Sequence, residues 1–107
     1  MKTRHRSTCL LATLTIVSLA SRASAGPTPT QACQSAKNKA AGKYDGCRQK
    51  AEAGFAVSGD SAKYTATLGK CLTKYHETWP ALEARAVAQG GACPSVADQA
   101  AIQGVID

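Results

Sequence analysis

At 107 residues the chain has room for a single domain. Four of its 13 Lys and Arg (Lys2, Arg4, Arg6 and Arg22) lie in the first 25 positions, which hold none of its 7 acids, so the remainder carries nine basic residues against seven acids, a net +2. That near balance removes the sequence pI of about 9.3 as an argument for nucleic-acid binding, and one Trp, three Tyr and one Phe exclude a large aromatic core.

The chain opens with the basic cluster Lys2, Arg4, His5 and Arg6. A mostly apolar run continues from Ser7 to Ala20, centred on Leu10, Leu11, Leu14, Ile16, Val17 and Leu19, and then the small-x-small triplet Ala23-Ser24-Ala25. In this order the three parts predict a signal peptide over 1–25, cut between Ala25 and Gly26. The run falls short of the ~20 apolar residues that span a bilayer. The mature form is therefore expected to be secreted or periplasmic, with no transmembrane segment.

Gly26-Pro27-Thr28-Pro29-Thr30 is read as an extended leader over 26–30, with both prolines opposing helix and Thr30 as the N-cap of the first helix. A single domain is expected over 31–107. Its first helix is predicted over about 31–57, where Cys33, Ala36, Ala40, Tyr44, Cys47, Ala51 and Phe55 recur in steps of three and four. Lys37, Lys39, Lys43, Arg48 and Lys50 are assigned to its solvated side. Ser58-Gly59-Asp60-Ser61 marks a turn. A second helix is predicted over about 62–89 from the stripe Tyr64, Leu68, Cys71, Tyr75, Trp79, Leu82 and Ala86, with a kink at Pro80 and an end at Gly90-Gly91. Ser95-Val96-Ala97-Asp98 is read as a capping box for a short third helix over Ala97–Val105, turning Ile102, Val105 and Ile106 inward. The fold class is all-α: an antiparallel helical hairpin with disulfide staples and a short C-terminal helix.

Beyond Cys9 the cysteines are Cys33, Cys47, Cys71 and Cys93, an even number in a short exported chain, which predicts disulfides. No C-x-x-C pair is present, so a zinc site is not expected. Cys33 and Cys47 lie 14 residues apart on one helix, about 21 Å, whereas a disulfide needs Cα atoms within about 7 Å. Folding at Gly59 places Cys47 and Cys71 level, each 12 residues from the turn. The pairs expected are Cys47 with Cys71 and Cys33 with Cys93. Strict register puts residue 85 opposite Cys33, so the second pair needs the chain to turn back at Gly90-Gly91.

Cys33, Lys39-Ala40-Ala41-Gly42-Lys43-Tyr44, Cys47-Arg48, Gly59-Asp60, Lys63-Tyr64, Lys70-Cys71, Trp79, Glu83 and Gly91-x-Cys93-Pro94 at these intervals resemble a group of uncharacterised small exported bacterial proteins. The resemblance covers residues 33 to about 102. It implies a Cys-stapled helical module and brings no catalytic residues with it.

Candidate chemistry is sparse. His76 is the one His after the leader; Trp79 and Glu83 are the residues that would join it in a site, and Pro80 occupies the position where a helical metal pair needs its second ligand. No nucleophile motif, phosphate loop or cofactor motif is present. Tyr44, Tyr64, Tyr75 and Trp79 are expected to pack between the helices. These features predict a non-catalytic binding or structural module whose partner is a protein or an anionic envelope component. A cationic, envelope-active or polyanion-binding helical peptide is the alternative, and a small hydrolase or metal enzyme the third.

Overall fold

The computed structural model describes residues 25–107. The signal-peptide reading, Ala25 apart, lies outside them. The described chain forms three helices, α1 (Pro29–Ser58), α2 (Ser61–Ala88) and α3 (Gln99–Ile106), with no strand among the described residues. α1 and α2 make the antiparallel hairpin, and α3 crosses one of its faces.

Local chemistry sets most helix ends. Thr28, not Thr30, caps α1. Its Oγ1 accepts from the Gln31 N–H at 3.2 Å while the Gln31 Oε1 accepts from the Thr28 N–H at 3.0 Å, a reciprocal capping box. Pro29 starts the helix instead of opposing it, because the first helical position needs no N–H and favours the φ that proline fixes. The extended leader is accordingly shorter than expected. At the hairpin turn Gly59 adopts φ 67°, a left-handed conformation suited to glycine, and its N–H donates to the Phe55 carbonyl. Asp60 then caps α2, accepting from the Lys63 N–H at 2.9 Å. Pro80 does not split α2, which continues to Ala88.

The third helix departs from the expected pattern. It begins at Gln99, and Asp98 sits at its N-cap without making a side-chain cap. Ala97 takes φ 56°, a left-handed conformation that costs a non-glycine residue roughly 1–2 kcal/mol. The Asp98 carboxylate that a capping box would use accepts instead from Lys37, Trp79 and Ser95.

Tyr44 and Tyr75 stack across the hairpin with ring centroids 4.7 Å apart, and Trp79 packs on Tyr75 tilted by 56°, centroids 5.1 Å apart. Ala40 and Cys71 complete this buried cluster, and Ile102 and Ile106 of α3 pack against it. A smaller cluster at the open end joins Cys33, Ala86 and Cys93. Val105 is not inward but 86 % exposed. Phe55 and Tyr64 also leave the shared core and stack on each other beside the turn, centroids 5.0 Å apart. The hydrogen bonds from α3 to α1 reach no further along α1 than Arg48, so the tip of the hairpin is built from two helices alone.

Cys47 is bonded to Cys71 and Cys33 to Cys93, with Cα separations of 5.8 and 5.4 Å. Ala86 stands beside Cys33, close to the residue 85 that the register requires. The chain turns back at Gly90, φ 80°, and Gly91 presses on α1 so closely that an added Cβ would lie 2.7 Å from the Pro29 Cβ. Cys93 reaches Cys33 through this turn.

The staples span 24 and 60 residues, which the chain-entropy relation converts to about 3.5 and about 4.3 kcal/mol. The longer one also tethers the loop that carries Asp98. The paired change Cys33→Ser with Cys93→Ser is expected to lower the melting temperature more than Cys47→Ser with Cys71→Ser. Thermal circular dichroism on the two double variants checks the order; the reverse order would contradict it.

Candidate functional site

Lys37 is the most deeply buried large side chain of the described protein, 1 % exposed. This corrects its assignment to the solvated side of α1. Its Nζ donates to the Ser95 carbonyl at 2.6 Å and to Asp98 Oδ1 at 2.8 Å, and it lies 2.7 Å from Glu83 Oε1. It also sits 5.0 Å from the centre of the Trp79 ring. Asp98 in turn accepts from Trp79 Nε1 at 3.1 Å and from Ser95 Oγ at 2.6 Å. Glu83 Oε1 is buried and has no polar partner besides the Lys37 ammonium. Burial acts to lower the Lys37 pKa, but hydrogen bonding to Asp98 and Glu83 and their charges outweigh it and leave it raised above 10.5. The Lys37 hydrogen bond, reinforced by Ser95, draws the Asp98 pKa down from 3.8 to about 2.

Three further links hold α3 against the hairpin. Tyr75 Oη donates to the Gln99 carbonyl at 3.0 Å, and Gln99 Nε2 donates back to the Tyr75 carbonyl. Tyr44 Oη donates to Asp107 Oδ1 at 2.7 Å, and Arg48 pairs with the same carboxylate. His76 Nε2 lies 2.7 Å from Gln103 Oε1.

Of His76, Trp79 and Glu83, only the last two converge, on Lys37 and Asp98, while His76 turns away to Gln103. The Trp79 indole meets Asp98 and Glu83 meets Lys37 within one bonded cluster, and the His76 imidazole lies outside it. Among the described residues no group of three or more His, Cys, Asp or Glu is placed to hold a metal ion, and no helix is long and apolar enough to cross a membrane. The expected basic face of α1 loses two members, because Lys37 is internal and Arg48 is engaged by Asp107, while Lys39, Lys43 and Lys50 stay exposed.

The opposite face of the hairpin carries a groove of about 370 Å³. Lys37, Tyr44 and Arg48 of α1 and Tyr75, His76 and Trp79 of α2 bond to α3, its C-terminal end or the loop before it. Positions 36, 40, 43 and 47 with 71, 78 and 82 line the groove, and Tyr44 and Tyr75, which also bond toward the C-terminal segment, share in its lining. Its apolar lining is Ala36, Ala40, Tyr44, the Cys47–Cys71 bridge, Tyr75 and Leu82. Lys39 and Lys43 of α1 and Lys70 and Lys74 of α2 stand around it, and no acid lines it. Sequence reasoning found Lys39 and Lys43 but not their pairing with Lys70 and Lys74, which depends on the register of two helices. Lys37 was open to detection: 33, 37, 40, 44, 48 and 51 is as regular a stripe as the one through Ala36 and Cys47.

Removing the ammonium leaves the half-buried Glu83 and Asp98 carboxylates without their cation, so Lys37→Met is expected to cost about 3 kcal/mol, read by urea denaturation of the oxidised protein. Asp98 binds its proton more weakly folded, at about 2, than at its ordinary 3.8. Its stabilisation is thus complete above about pH 4 and is lost as pH falls toward 2, on the order of 2 kcal/mol. The urea midpoint is expected to fall across that window, and Asp98→Asn to start lower and flatten the fall.

No family model, no curated protein and no solved structure matches the chain.

Proposed function

We propose that the chain is exported and acts outside the cytosol as a non-catalytic module that binds a protein or an envelope component along the open groove of its helical hairpin. The observation that carries this reading is the division of the hairpin into two faces. On one, the polar side chains with chemical potential are spent on each other: Lys37 on Glu83 and Asp98, Arg48 on Asp107, His76 on Gln103. On the other, an apolar floor within the volume range of ligand sites lies open between lysines. Two disulfides fit an oxidising compartment. The polyanion-binding alternative draws on the same lysines, but the apolar floor between them gives an extended polyanion nothing to bury.

The reading is tested with a photoreactive side chain placed at Thr78, in the groove, or at Ala100 on the exposed side of α3, in the producing cell. A discrete adduct of defined mass at position 78 and none at position 100 is the expected result. Equal labelling at both, or none at position 78, would remove the groove as the binding face.

A further inference from the structure

The two disulfides are not equally guarded. Cys33 and Cys93 are 4 % and 9 % exposed and pack with Ala86 and Leu82 at the open end. Opening that bridge would also untether the loop that Lys37 holds through Ser95 and Asp98. In the other pair Cys71 is 3 % exposed, but Cys47 is half-buried, alone of the four in not being enclosed. Both line the open groove.

The surroundings of Cys47 and Cys71 favour thiol–disulfide exchange. Lys43 stands four residues before Cys47 and Lys74 three after Cys71, spacings that bring side chains together on one helix face. Both lysines line the groove with the cystine, and no acid does. Among the described residues neither lysine makes an ion pair. A cation beside a cysteine favours its thiolate, and a thiolate so favoured leaves a disulfide faster.

The same bridge stands at a boundary in the fold. On its open-end side, α3 and the loop before it bond to both helices of the hairpin. On its turn side, between residues 48 and 70, α1 and α2 meet alone. Ala51 is the only buried residue of that stretch. Its side-chain hydrogen bonds to either helix stay within one helix or the turn, and the stack of Phe55 on Tyr64 is its one aromatic contact between helices. A segment with so little buried contact opens at low free energy. The bridge closes its base.

We propose that Cys47–Cys71 is an exchangeable disulfide, opened by an external dithiol while Cys33–Cys93 stays closed, and that its opening frees the tip of the hairpin, residues 48–70. One thiolate of the dithiol attacks Cys47 Sγ, the S–S bond breaks, and Cys71 leaves as the thiolate beside Lys74. The second thiolate of the dithiol then displaces Cys47 from the mixed disulfide. The dithiol ends as a disulfide, the protein takes up two electrons, and the two protons pass to the Cys47 and Cys71 thiols. α3 keeps its place, because Cys33–Cys93 and the bonds from Lys37, Tyr44 and Tyr75 still hold it. The tip is thus latched or released by the redox state of one bridge, whatever the groove binds.

The test treats the oxidised protein with graded dithiothreitol at neutral pH without denaturant, quenches with N-ethylmaleimide and maps the adducts by mass spectrometry. Cys47 and Cys71 are expected to be modified first, opening roughly ten-fold faster than the intact Cys33–Cys93 bridge. Hydrogen exchange on that half-reduced form is expected to show protection lost at Ala51 and Leu68 and kept at Ala40 and Tyr75. Lys43→Gln with Lys74→Gln is expected to slow the opening roughly three-fold while exchange in α3 stays unchanged. Simultaneous opening of both bridges, or Cys33–Cys93 opening first, would overturn the proposal. So would protection at Ala51 and Leu68 that survives reduction, or a loss that spreads to Tyr75 and makes the bridge a staple of the whole fold. An opening rate indifferent to the lysine substitutions would overturn the part given to the lysines.

Discussion

One buried ammonium organises the chain after its second helix. Lys37 lies under the segment that leaves α2, and its two hydrogen-bond acceptors, the Ser95 carbonyl and Asp98, bracket the strained residue Ala97. The left-handed turn at Ala97 aims both at the same cation. Burying a charge is costly unless it is paired and hydrogen-bonded, and here the pairing comes from three stretches of chain: α1 supplies the lysine, α2 supplies Glu83 and Trp79, and the loop supplies Ser95 and Asp98. The cluster ties the loop that leads into α3 to both helices of the hairpin, and so helps set where the third helix starts.

The remainder is a frame of small residues with few large ones. The aromatic stack of Tyr44, Tyr75 and Trp79 supplies most of the buried side-chain volume. Elsewhere the helices meet through Ala40, Ala51 and Ala86, which allow close approach but bury little area. A core of this size is marginal without covalent help. The two disulfides sit where that help is needed, one midway along the hairpin between α1 and α2, the other at the open end, where it closes the loop back onto α1.

The same economy creates the two unlike faces. One short helix can roof only one side of a hairpin, and α3 takes the side on which Lys37, Tyr44, Arg48, Tyr75 and Trp79 find polar partners. Ala36, Ala40, Cys47, Cys71, Thr78 and Leu82 are left to line the uncovered side, with Tyr44 and Tyr75 shared between the two. Alanine there gives a channel instead of a packed surface, and the hairpin register gathers lysines from both helices around it.

Much of this architecture is legible in the order of residues. Steps of three and four in α1 and α2 define the helices, Gly59 and Asp60 define the turn, and equal spacing from that turn brings Cys47 level with Cys71. These are local matters, set by backbone propensity and by counting along a regular helix. What the order of residues left open depends on contacts between distant segments. Lys37 reads as a surface residue until Glu83 and Asp98 are seen beside it, Asp98 reads as a helix cap until Lys37 claims its carboxylate, and His76 reads as the partner of Trp79 and Glu83 until those two join Lys37 and it turns to Gln103. A charged side chain is buried or solvated according to what faces it, and only the packing of α2, the loop and α3 against α1 decides that.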